Sequence, residues 1–268
     1  MARDKNTEGL RAENSAGVLT VTLDRPERRN ALSEEMIREL ATLLEDASTD
    51  GSVRVVLLRG EGDHFCSGFD LGGSRRPEVP ARAGSTQRRM RTSVSRLMPT
   101  LLDIQTPVVV AARGWAAGLG LALVLAADFA VVAEDARLWA PFTGLGFSAD
   151  SGTSWLATRM VGVARAKEML MLGREVYGAE AAEWGAVTRA VPADRVEEEA
   201  RALAEELARS ATVAVGLTKA LIHRSATNSI EQQLAEEAMA VEVSSRSEDF
   251  KAAMRARLEG VDPDFTGR

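Results

Sequence analysis

Three short stretches of the sequence carry groups whose types and spacing suit chemistry. His64-Phe65-Cys66-Ser67-Gly68-Phe69-Asp70-Leu71 is a glycine-bearing turn that follows the apolar run Val53 to Arg59. Gly114-Trp115-Ala116-Ala117-Gly118-Leu119-Gly120 is a second, which follows Val108 to Ala112 and opens an apolar helical stretch. Glycine lets a backbone turn sharply and lets another group come close. A helix N-terminus offers unpaired N–H donors with partial positive charge. Two such turns at the ends of adjacent strands would aim N–H groups at one point and stabilise a developing oxyanion. The third stretch is Ser148-Ala149-Asp150-Ser151-Gly152, whose carboxylate has Trp139, Phe142, Phe147 and Trp155 near it in sequence. An apolar surround of that kind suits a group that exchanges protons. Read on their own, both turns fit ordinary strand-to-helix connections better than a site, and Asp150 also fits an N-cap of the helix beginning near Ser151.

The elements that must position these groups follow from the hydrophobic pattern. Residues 18–24 alternate like a half-buried strand and stop at Arg25-Pro26. Ser33 suits a helix cap, with Glu34 and Glu35 in the first turn, and Met36, Ile37, Leu40, Leu43, Leu44 and Ala47 form one apolar stripe. Residues 53–59 and 108–112 read as buried strands, and 129–133 as another. Strands alternating with helices predict an α/β architecture. The Gly-, Pro- and Arg-rich stretch 72–85 reads as a surface loop or lid. From about Ala193 the pattern becomes helical over 194–209, 212–225, 230–245 and 247–257. The chain therefore divides into a mixed core over 1–192 and a helical assembly region over 193–268.

Composition excludes several classes. A net charge of −6 over 268 residues argues against nucleic acid as the main partner. One cysteine, Cys66, cannot close an intrachain disulfide, and two histidines leave few ligands for a tetrahedral metal site. No apolar run marks a secretory signal or a membrane span, so a cytoplasmic protein is expected.

Longer strings identify the chain as resembling the crotonase (enoyl-CoA hydratase/isomerase) superfamily. Leu23-Asp24-Arg25-Pro26-Glu27-Arg28-Arg29-Asn30-Ala31-Leu32 resembles the family's N-terminal signature. Phe65 to Leu71 and Gly114 to Leu123 resemble its two oxyanion loops. Ala136 to Gly162 is similar to its active-site stretch, and Ser247-Glu248-Asp249-Phe250-Lys251 to its C-terminal motif. The resemblance runs from about residue 17 to 257. It implies a β-β-α spiral core with a helical C-terminal oligomerisation region, acyl-CoA thioester substrates, and trimers that often pair into hexamers. Apolar positions on the last helices (Leu217, Leu221, Ile222, Leu234, Met239, Val241) fit such assembly.

Residue by residue, the resemblance puts the oxyanion N–H groups on Phe69 and Leu119. It puts substrate and CoA contacts on Arg28, Ala31, Ser67, Gly68, Asp70, Leu71, Gly118 and Phe142, and on Phe250 and Lys251, which face the CoA of a neighbouring subunit. No metal or redox cofactor is implied, and coenzyme A is part of the substrate. The two hydratase glutamates fall on Ala122 and Phe142, which cannot accept a proton. Asp150 resembles the acid–base aspartate of epoxyphenylacetyl-CoA isomerases and some enoyl-CoA isomerases. The expectation is therefore an acyl-CoA isomerase with Asp150 as proton shuttle. The alternatives are an enoyl-CoA hydratase and a non-catalytic acyl-CoA-binding homologue. Among other residues, Asp70 reads as a turn aspartate, His64 as exposed or near phosphate, and Cys66 as a buried filler. Arg88, Arg89 and Arg91 read as a solvated helix face, Arg28 and Arg29 as CoA phosphate contacts, and Glu231, Glu236 and Glu237 as exposed helix charge.

Overall fold

The computed structural model describes residues 5–72 and 82–268. Most of the expected lid, residues 73–81, lies outside the described residues. In chain order the strands are β1 (Lys5–Thr7), β2 (Leu10–Ser15), β3 (Val18–Leu23), β4 (Val55–Gly60), β5 (Val108–Ala112), β6 (Trp115–Ala117), β7 (Phe129–Ala133), β8 (Arg137–Trp139), β9 (Val176–Tyr177) and β10 (Arg189–Val191). The helices are α1 (Glu34–Thr49), α2 (Ser85–Thr92), α3 (Val94–Asp103), α4 (Leu119–Ala126), α5 (Thr153–Met171), α6 (Gly178–Glu183), α7 (Val196–Ala208), α8 (Thr212–Ser225), α9 (Ile230–Ser244) and α10 (Glu248–Glu259).

Among the described residues, one sheet runs β1-β2-β3-β4-β5-β7-β10, antiparallel from β1 to β3 and parallel from β3 to β10. Every residue of β5 is buried, because helices cover both faces of a parallel sheet. Helix α1 makes the crossover between β3 and β4. Ser33 Oγ accepts the Met36 N–H at 3.1 Å, and the predicted stripe from Met36 to Ala47 is buried. Each fully buried leucine on it contributes about 1.5–3 kcal/mol. All of α4 is buried, so it forms the centre of the molecule rather than a surface layer.

A second, smaller sheet has the order β6-β8-β9. The sequence pattern predicts no strand at 115–117, because three residues show no alternation; β6 exists through pairing with distant segments, Ala116 with Leu138 and Cys66 with Ala116. Helix α5 is broken at Gly162, whose backbone is left-handed at φ +79°. Helix α7 places Val196, Ala200, Ala204 and Ala208 against β4, β5 and β7. Helix α8 is pinned by a buried cation. Lys219 Nζ sits 2.8 Å from Asp128 Oδ2 and donates to the Leu101 carbonyl at 3.0 Å, while Asp128 accepts the Val108 N–H at 2.7 Å. Among the described residues, no helix is long and apolar enough to cross a membrane.

Candidate active site

The two glycine turns meet side by side at the end of the parallel sheet. Cys66 N–H donates to the Trp115 carbonyl and Ala117 N–H to the Cys66 carbonyl, both at 2.9 Å. Gly68 has φ +100°, and a Cβ there would lie 2.8 Å from the Ala117 carbonyl oxygen and 3.5 Å from the Leu119 nitrogen. A Cβ on Gly120 would lie 2.4 Å from the Cys66 carbonyl oxygen. Contacts that short tolerate no side chain, so glycine sets the spacing of the turns. Leu119 opens α4, where helix geometry leaves N–H groups unpaired. Among the described residues, neither the Phe69 N–H nor the Leu119 N–H donates to a protein acceptor.

A third loop, residues 25–32, buttresses the first turn from outside. Leu32 pairs with Phe69, donating to the Gly68 carbonyl at 2.8 Å and accepting from the Asp70 N–H at 2.9 Å. Arg25 donates to the Ala31 carbonyl and to Asp70 Oδ2, both at 2.9 Å. Asn30 was not singled out by the sequence patterns, yet it is fully buried in a left-handed conformation. Its amide donates to the Glu61 and His64 carbonyls at 2.9 and 2.7 Å, and its oxygen accepts the Arg25 N–H at 2.9 Å. The signal that could have found it is an asparagine closing a turn, where that residue tolerates left-handed backbone.

Opposite the turns, Pro141 to Ser151 forms the other wall. Phe142 is buried and meets Phe147 edge-on, with ring centroids 5.7 Å apart. Ser151 is left-handed at φ +55°, and its hydroxyl donates to Asp150 Oδ1 at 2.8 Å. Between the walls lies a cavity of about 380 Å³, lined among others by Ser67, Gly68, Phe69, Leu71, Gly118, Leu119, Phe142 and Asp150. That size suits a small-molecule site.

Several expectations are corrected here. Asp150 does not cap α5 through its side chain: the N-cap is Gly152, and only the Asp150 main-chain carbonyl accepts from Thr153, at 2.9 Å. Two of the four aromatic neighbours turn away from the cavity. Trp139 packs against Trp115 and donates its indole N–H to the Gly173 carbonyl at 2.9 Å. Trp155 lies under the Arg159 guanidinium at 3.7 Å and lines a different cavity, with Lys219 and His223. His64 is partly buried, with Nδ1 accepting the Trp115 N–H at 3.3 Å. Burial, then the Arg29 charge, push its pKa down, against the pull of Asp63, so it is a neutral structural acceptor. Arg89 is exposed, as expected of a solvated helix face, and it also lines the cavity, where Glu34, Met90, Ser93 and Val94 join it without having been expected. Helix α2 carries no clear apolar stripe, so its packing could not be read from its pattern.

Other residues sit where expected or at the periphery. Cys66 is fully buried, and burial pushes its thiol up to about 12, partly opposed by the Gly68 N–H, so it is no nucleophile. Asp70 is buried against Arg25, with Arg28 at 3.7 Å. Arg28, Ala31, Phe250 and Lys251 do not line the cavity; the last two are exposed on α10. Ala122 is fully buried in α4. Among the described residues, no three His, Cys, Asp or Glu side chains gather as a metal site.

The architecture is that of the crotonase superfamily. A crystal structure of enoyl-CoA hydratase from Bacillus anthracis superposes with a TM-score of 0.88 at 29% identity, covering 97% of this chain and all (100%) of that one. The family model for enoyl-CoA hydratase/isomerase matches residues 13–268, and the chain belongs to that family. Its relatives carry both chemistries in their names. The 1,2-epoxyphenylacetyl-CoA isomerase of Escherichia coli K12 is 34% identical over 94% of this chain and 96% of its own length. The 2,3-dehydroadipyl-CoA hydratase of the same strain is 30% identical over the same shares.

Proposed function

We propose that the protein is an acyl-CoA isomerase that moves a double bond through a thioester enolate. The observation that carries this reading is one cavity lined by Phe69, Leu119 and Asp150, with no proton acceptor at Ala122 or Phe142. The Phe69 and Leu119 N–H groups would hold the thioester oxygen as it gains charge. Asp150 would take a proton from one carbon of the acyl group and return it at another, as the π electrons shift and the enolate collapses. The Ser151 hydroxyl holds Oδ1, which leaves Oδ2 for the transfer. Arg28, with Phe250 and Lys251 of a neighbouring copy, would contact CoA, in a trimer or a dimer of trimers. Exposed Ile230, Leu234, Met239 and Val241 on α9 support such an assembly, which light scattering checks.

A hydratase reading needs two positioned acid–base groups. Among the described residues the one further carboxylate lining the cavity is Glu34, which stands 3.6 Å from each of Arg38 and Arg89 and serves there as a charge partner. The experiment is a paired assay of a 3-enoyl-CoA for double-bond migration and crotonyl-CoA for hydration. Migration with solvent deuterium entering the acyl chain, and hydration slower by a hundredfold or more, is the expected result. Fast hydration without migration overturns the reading, and CoA-ester binding with neither reaction points to a non-catalytic homologue.

A further inference from the structure

Asp150 to Thr153 forms a tight turn. The Thr153 N–H donates to the Asp150 carbonyl at 2.9 Å, and both central residues are left-handed, Ser151 at φ +55° and Gly152 at φ +73° with ψ 2°. That is the pattern of a type I′ turn, whose central positions favour glycine, asparagine and aspartate. Gly152 suits its place. Serine at 151 does not, because a left-handed backbone brings Cβ close to the following carbonyl oxygen. A residue kept in a sparsely populated conformation points to a contact that compensates for it. Ser151 is buried, lines the cavity beside Asp150, and donates its hydroxyl to Asp150 Oδ1 at 2.8 Å. Among the described residues, that is the hydrogen bond that holds this carboxylate. The turn carries a disfavoured residue where a hydroxyl meets the candidate acid–base group.

We propose that Ser151 is a positioning residue that makes Oδ2 of Asp150 the proton-carrying oxygen. The two oxygens of an ionised carboxylate are equivalent acceptors until one is engaged. When the acyl C–H bond breaks, its electron pair moves into the enolate and an O–H bond forms on the carboxylate. If that bond forms at Oδ2, Oδ1 becomes the carbonyl oxygen and keeps the hydrogen bond from Ser151. If it forms at Oδ1, that oxygen becomes a hydroxyl and Ser151 is left with a poorer acceptor. Return of the proton from Oδ2 restores the carboxylate, as an enolate electron pair closes the C–H bond at the second carbon. One oxygen thus serves both carbons from one held geometry.

This inference rests on the isomerase reading above, and Asp150→Asn separates the two. Ser151→Ala removes the hydroxyl and keeps the left-handed Cβ; Ser151→Gly removes both and suits the turn. With a 3-enoyl-CoA as probe, both variants should lose about tenfold or more in kcat, the worth of a hydrogen bond to a charged group, with KM within about twofold of the parent value. Ser151→Gly should keep its Tm within about 3 °C, which separates lost turnover from lost fold. Parental kcat in either variant, a loss in Ser151→Ala that Ser151→Gly restores, or a Ser151→Gly loss that comes with a larger fall in Tm would overturn the inference while Asp150→Asn stays inactive. Full turnover in Asp150→Asn, or no double-bond migration by the unsubstituted protein, would overturn the isomerase reading and this inference with it.

Discussion

The two walls of the cavity are built on opposite plans. The wall of turns is bonded to itself and to its neighbours at many points: backbone ladders join 66 to 115–117 and 68–70 to 32, and a partly buried ion pair ties Asp70 to Arg25. The wall bearing Asp150 is a loop with exposed residues from Thr143 to Ser148, and the described hydrogen bond to its carboxylate comes from the adjacent Ser151. The difference matches what each wall would do. Dipoles that stabilise charge work best when fixed before charge appears. A carboxylate that returns a proton to a different carbon must serve two positions. Among the described residues, the more heavily bonded wall is the one that would meet developing charge in the proposed reaction.

The sharpest way to break the comparison is at Asp150. Asp150→Asn should lower isomerase turnover by about 10²–10⁴-fold, the usual worth of an acid–base group, with acyl-CoA binding little changed. Because the side chain makes no cap, Asp150→Ala should cost less than about 1 kcal/mol in a denaturant melt. An Asn variant with full turnover removes Asp150 from the mechanism.

The opposite wall should respond in both activity and stability. Gly120→Ala forces a Cβ toward the Cys66 carbonyl and parts the two turns. Loss of one oxyanion donor's alignment predicts a fall of about 10²–10³ in turnover, together with a lower Tm. Unchanged kinetics would mean that the spacing of the turns does not set donor geometry. Asp70→Ala leaves Arg25 without its buried partner, and urea unfolding should show a loss of about 3 kcal/mol. A loss below 1 kcal/mol would show that the backbone ladders alone hold the turn. The smallest effect is expected outside both walls: Arg28 is half exposed, so Arg28→Glu should weaken CoA-ester binding by less than about tenfold at physiological salt. A change in turnover with no change in binding would place the CoA phosphates elsewhere.

What could be read from the sequence divides along the same line. The buried strands, the α1 stripe with its Ser33 cap, and the C-terminal helices are written in local periodicity, and they formed within a few residues of expectation. The glycine turns were legible because a turn with close backbone approach restricts residue type strongly. Strands β6, β8, β9 and β10 are too short to carry a period and exist through partners far away in the chain. The lining role of Glu34 and Arg89 was invisible for a related reason. Both look like ordinary helix-surface charge until α1 and α2 are placed against the turns. Trp139 and Trp155 failed in the other direction, since nearness in sequence says nothing about which side of a loop a ring faces.

The packing of α7 has a consequence for synthesis. The sheet face formed by β4, β5 and β7 is covered by Val196, Ala200, Ala204 and Ala208, and β10 joins β7 only at Arg189–Val191. A ribosome adding about 5–20 residues per second delivers the strands of the sheet well before their cover. For several seconds after β7 emerges, the nascent chain carries three apolar parallel strands with one face bare and one edge open. Parallel pairing of distant segments is slow to form and prone to intermolecular capture. In the interval before α7 arrives, aggregation is therefore expected to compete with folding.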